Sequence, residues 1–108
     1  MYCKANSEGY TKMLAGIRMK TLVYGDKTLF TEFRMNADSI LPNHAHPHEQ
    51  TGYLVEGRLL LTIGDRTFDV EKGDSWCIPG NTEHSAKILE NSVAIEVFSP
   101  VREDYLPD

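Results

Sequence analysis

Three of the chain's four histidines, His44, His46 and His48, fall within five residues, and Gln50 lies just beyond them. His44 and His46 are two apart, so on an extended segment both imidazoles leave the same face and can bind one metal ion through neighbouring nitrogens. Gln50 shares their parity, yet on a straight strand at ~3.3 Å per residue it would lie about 13 Å past His46. The chain must therefore bend, and Pro47 supplies the break because it lacks a backbone N–H and restricts His46 before it. The fourth histidine, His84, joins this set only if the fold returns its segment to the first three. Three imidazoles suit zinc, nickel, iron(II), manganese or cobalt, since affinity order and availability compete. The plainer alternative is a group of structural histidines in a cavity that binds no ion.

The elements that must position these residues are strands. Gly16 to Tyr24 and Leu29 to Met35 alternate apolar and polar residues around Gly25-Asp26, the pattern of a hairpin. Further strands are expected over Thr51 to Glu56, Leu59 to Ile63, Thr67 to Val70, Ser75 to Ile78, His84 to Leu89 and Val93 to Phe98. Turn residues separate them at Gly57, Gly64-Asp65, Lys72-Gly73-Asp74, Pro79-Gly80-Asn81 and Glu90-Asn91. A helix fits only at the termini, over Asn6 to Ala15 after an Asn or Ser cap. Eight or more short strands at regular spacing make an all-β sandwich or barrel. If His84 faces inward, Ala86 and Ile88 do too. On the next strand Ala94, Glu96 and Phe98 share one face, a mixture that suits a cavity wall. Val93, Ile95 and Val97 share the other, which needs covering by a sheet or a second subunit.

With 108 residues, one domain over 1–108 is expected, its barrel over about 16–99. A hydrophobic share of 41% and a charged share of 25% are those of a soluble globular chain. The net charge of -5 argues against nucleic-acid binding, which needs clustered Lys and Arg. No run approaches the ~20 apolar residues of a membrane span, and the N-terminus has no secretory signal, so a cytoplasmic protein is expected. The two cysteines form no Cys-x-x-Cys pair: Cys77 reads as a small buried residue and Cys3 as a loose terminal thiol.

His44-x-His46-x-x-x-Gln50 with Gly57, followed by Gly73, Pro79 and His84, resembles the two motifs of the cupin family. The usual Glu ligand is Gln50 here, Asn81 stands where a glycine is usual, and Ile88 where an asparagine is frequent. The resemblance implies a double-stranded β-helix barrel of jelly-roll type, with one divalent metal ion held by His44, His46, Gln50 and His84. Within the family, His44-x-His46-Pro47-His48-Glu49-Gln50 and the closing Val97 to Leu106 run resemble the small pectin-degradation cupins of KdgF type.

That narrower resemblance implies opening of 4,5-unsaturated uronates to the linear keto form, and commonly a homodimer. It assigns Glu96 as the acid, Phe98 as a substrate contact and Arg102 as a catalytic and carboxylate-binding cation. A neutral His and Gln set leaves an ion's charge uncompensated, which favours an anionic substrate; the resemblance makes it a small sugar acid. Plainer readings stand beside these: Glu96 as an exposed strand residue, Arg102 as a surface partner of Glu103 or Asp104, Phe98 and Trp76 as core rather than substrate-stacking rings, and His48 and Glu49 as solvated residues or supports of the metal ligands. At the level of function, the alternatives are a non-catalytic module for small anions and a metal-dependent dioxygenase.

Overall fold

The computed structural model describes residues 1–107. Eight strands follow the turn signals: β1 (Thr11–Leu14), β2 (Ile17–Tyr24), β3 (Leu29–Met35), β4 (Ile40–His44), β5 (Glu49–Ile63), β6 (Arg66–Glu71), β7 (Ser75–Ile78) and β8 (His84–Ser99). A 3-10 turn at Glu103–Tyr105 closes the chain. All strand pairings are antiparallel, and the architecture is a jelly-roll β-barrel.

β5 and β8 organise the rest. Each is a continuous strand where the turn residues Gly57 and Glu90-Asn91 had suggested two. They pair along their whole length, from Glu49 opposite Ser99 to Ile63 opposite His84, with register shifts around Gly57. One half of this ribbon belongs to a sheet ordered β1-β2-β3-β8-β5-β7, the other half to a sheet ordered β4-β8-β5-β6. Gly57 sits at the corner with φ +98°, and a Cβ there would come within 2.5 Å of the Asn91 carbonyl oxygen. No L side chain fits so close a crossing. The adjacent Ser92 hydroxyl accepts from the Arg58 N–H at 3.2 Å and donates to the Glu90 carbonyl at 2.8 Å, bonding backbone groups that the irregularity frees.

Ile17, Leu29, Leu54, Ile88 and Phe98 are wholly buried between the sheets, each stabilising the fold by about 1.5–3 kcal/mol. Inward parity on β8 is as the alternation predicts: His84, Ala86, Ile88, Ala94, Glu96 and Phe98 are buried, while Val93, Ile95 and Val97 are half-buried on the outer face. Exposed Phe30 and Tyr53 lie beside Val97 and Ile95 there.

Two further expectations fail. The stretch expected as a helix, Asn6 to Ala15, instead contains β1, which pairs with β2 from Thr11 opposite Met19. It has too few residues to bury a helical face, whereas the open edge of β2 offers hydrogen bonds directly. Cys77 is exposed rather than buried. It lies between Trp76 and Ile78 on a strand whose period of two turns those neighbours inward and the thiol out. Among the described residues no helix is long and apolar enough to cross a membrane.

Candidate metal centre

β4 ends at His44, residues 45–48 turn, and β5 begins at Glu49, so the bend required between His46 and Gln50 is present. β8 begins at His84, which is the register partner of His44. A second tie joins the two segments, as the Asn81 N–H donates to the His46 carbonyl at 2.7 Å. Asn81 takes the left-handed conformation, φ 62°, that an asparagine tolerates. These constraints bring the rings of His44 and His84 to 4.1 Å between centroids, and those of His46 and His84 to 5.0 Å. One ligand nitrogen from each of the three lies within 4.8 Å of the others.

Backbone carbonyls decide which nitrogen each ring offers. The Nδ1 atoms of His44, His46 and His84 face the carbonyl oxygens of Pro42, His48 and Thr82 at 2.8, 3.0 and 2.9 Å. Carbonyls only accept, so each Nδ1 carries the proton and each neutral ring presents a bare Nε2. His84 Nε2 is buried with no hydrogen-bond partner. His46 Nε2 faces Gln50 Oε1 at 3.0 Å. With Nδ1 holding the proton, that contact sets two lone pairs against each other unless a cation sits between them. A divalent ion held by both atoms would remove that conflict. Burial, the largest effect, lowers the pKa of both His46 and His84, and the Arg102 charge lowers each further, so both rings favour the neutral form that binds metal. Three converging lone pairs, one of them orphaned, fit a divalent ion.

A cavity of about 60 Å³ adjoins these residues and is lined in part by Trp76, Glu96, Phe98, Arg102 and Tyr105. Glu96 is buried, with 8% of its surface exposed. Burial raises its pKa to about 7, although hydrogen bonding from the Gln50 amide and the Trp76 indole and the charge of Arg102 all pull it down. Arg102 lies with its guanidinium carbon 3.9 Å from the Tyr105 ring centroid and 5.1 Å from that of Phe98. Its Nε and Nη2 donate to the two carboxylate oxygens of the exposed Asp104, at 3.2 and 2.8 Å. Arg102 therefore both pairs with Asp104 and lines the cavity.

Residues 31–99 match the cupin domain family, more than half of the chain. The chain is a cupin. This cupin is 29% identical over 93 residues to the pectin degradation protein KdgF of Dickeya dadantii (strain 3937), covering 84% of each chain. Its fold matches the solved structure of KdgF from Halomonas sp. with a TM-score of 0.87 at 27% identity, covering 92% of both chains. An RmlC-like cupin from Shewanella frigidimarina NCIMB 400 matches with a TM-score of 0.86 at 25% identity, over 90% of this chain and 87% of that one.

His44, Gln50, His84, Glu96, Phe98 and Arg102, all singled out from sequence, thus line one cavity, and His46 joins them through the histidine cluster and its contact with Gln50. His48 takes part through its carbonyl, and Glu49 is exposed. Sequence reasoning offered Trp76 as core or as a substrate-stacking ring; it packs against the core, and its indole N–H also donates to Glu96 at 2.8 Å. The same reasoning gave no site role to Tyr105 or to the carbonyls of Pro42 and Thr82. One sequence signal pointed to Trp76: Gly52, a glycine inside a strand, which marks close approach of another group.

Proposed function

We propose that this cupin opens the ring of 4,5-unsaturated uronates to the linear keto form, a step in the breakdown of pectin- or alginate-type polyuronates. The observation that carries the reading is the convergence on one cavity of a neutral His and Gln set, a buried carboxyl that titrates near neutrality, and a guanidinium. The similarity to KdgF supports the substrate class.

His44, His46, Gln50 and His84 would hold one divalent ion, of zinc, nickel, iron, manganese or cobalt. Bound there, it supplies a positive charge that polarises substrate oxygens. Arg102 takes the sugar carboxylate on the guanidinium edge that Asp104 leaves open, in a charge-assisted pair. Phe98, wholly buried beneath it, forms the apolar floor.

Glu96 moves the protons. Ring opening breaks the bond between C1 and the ring oxygen, removes the proton of the C1 hydroxyl and leaves the ring oxygen as an enol. Conversion to the ketone then adds a proton at C4 and removes the enol proton, so the overall proton count is unchanged. A carboxyl with a pKa of about 7 is present in both forms at neutral pH and can give and take protons in turn. Such acid–base help is worth about 10²–10⁴-fold.

The test follows the ultraviolet absorbance of a freshly generated unsaturated monouronate with metal-loaded protein, chelator-treated protein, His84→Ala protein and no protein. Loss of the conjugated double bond should accelerate only with the metal-loaded wild type, and His84→Ala should lose bound metal and turnover together. Protein shown to carry metal that gives no acceleration would refute the assignment. Saturable binding of the sugar acid without product would mark a binding module instead.

A further inference from the structure

Trp76 is the only tryptophan of the chain, and neither the metal set nor the carboxylate clamp uses it. Its indole Nε1–H donates to Glu96 Oε1 at 2.8 Å. The bond crosses a whole strand, because Trp76 on β7 and Glu96 on β8 are each register partners of Gly52 on β5 between them. Only a residue without a side chain permits this: a Cβ on Gly52 would overlap the indole atoms Cε2, Nε1 and Cζ2. On the far side, Thr31 of β3 is the register partner of Glu96, and its buried hydroxyl donates to the Glu96 carbonyl at 2.9 Å. Four strands therefore contribute to one row, which holds the backbone of Glu96 from one side and its carboxyl from the other.

A glutamate side chain has three rotatable bonds and several staggered directions open to it. The Trp76 bond to Oε1, with the Gln50 amide also bonding the carboxyl, selects one of these directions. We propose that Trp76 is the positioning residue for Glu96 and that Gly52 is the opening that admits it, so that the carboxyl is held toward the cavity. The consequence for turnover rests on the ring-opening reading above, whereas the hydrogen bond itself does not.

Two independent readouts test this. In ¹⁵N-labelled protein the single tryptophan gives one indole N–H resonance. It should shift in Glu96→Gln, where a weaker amide oxygen replaces the carboxyl. In Gly52→Ala it should also shift, with solvent exchange at least about tenfold faster once the bond is broken. A resonance unmoved by Glu96→Gln would overturn the contact, and that variant decides the matter even if Gly52→Ala does not fold. In metal-loaded protein, Trp76→Phe should lower kcat about tenfold, the worth of one hydrogen bond to a charged group, with KM changed less than about twofold and metal content unchanged. Added to Glu96→Gln it should cost nothing more. Unchanged kcat in Trp76→Phe, or losses that simply multiply in the double variant, would overturn the positioning role. If the wild type opens no uronate, the ring-opening reading fails, and the indole resonance still decides whether Trp76 holds Glu96.

Discussion

Replacing Glu96 by glutamine should change how stability depends on pH, and the size of the effect follows from the burial of one carboxyl. Burial lifts its pKa from an ordinary 4.5 to about 7. Between those values the folded chain binds a proton that the unfolded chain has released, so stability falls as pH rises through the window. At ~1.36 kcal/mol per pKa unit the full penalty is about 3 kcal/mol, complete above pH 8 and under about 1 kcal/mol at pH 5. Glutamine is nearly the same shape, keeps an oxygen for the Trp76 indole and carries no charge. Glu96→Gln should therefore be the more stable protein at pH 8.5 by about 2–3 kcal/mol, and close to the wild type at pH 5. For a chain of this length the difference in Tm at high pH is roughly 10 °C.

The assay is thermal unfolding of chelator-treated wild type and Glu96→Gln between pH 5 and 8.5. His46 and His84 act in the opposite sense, because their lowered pKa values make stability rise with pH through the histidine range. Both proteins share them, so the difference between the two curves isolates Glu96. A difference that stays flat across the range would refute the raised pKa, and with it the case for Glu96 as a proton carrier at neutral pH.

Two further substitutions probe the corner and the clamp. Gly57→Ala forces a side chain into a φ of +98° and against the Asn91 carbonyl, so strain and overlap together should cost about 2–5 kcal/mol. Urea unfolding measures this, and an unchanged midpoint would show that the corner relaxes freely. Arg102→Lys keeps the charge but loses the planar fork that Asp104 and Tyr105 hold, and KM should rise about tenfold with a smaller change in kcat. An unaltered KM would mean that the substrate carboxylate is held elsewhere.

Most of the strand plan was legible because its signals are local. Alternation along β8 placed Glu96 and Phe98 on the inner face, and the same period-two reading should have turned Cys77 outward, since Trp76 and Ile78 flank it. β1 was misread because a short edge strand has no strong pattern of its own and forms where β2 needs a partner. The continuity of β5 and β8 was hidden by Gly57 and Glu90-Asn91, which read as chain reversals but serve as a bend within a paired ribbon. At the site, the histidine spacing and Pro47 foretold the bend. The carbonyls that set the three tautomers were invisible, since a sequence does not show where a backbone oxygen points.

The sequence by itself determined which side chains share a face of each strand, because the alternation is a property of each strand alone. It also supplied the candidate donors, three imidazoles and an amide in place of an acid, which the fold then had to bring together. Tertiary structure decided how they act. Trp76, Gly52 and Glu96 meet only because β7, β5 and β8 lie side by side in one register. A carboxyl that is ordinary in water titrates near neutrality only after the two sheets close around it and remove the solvent that would stabilise its charge.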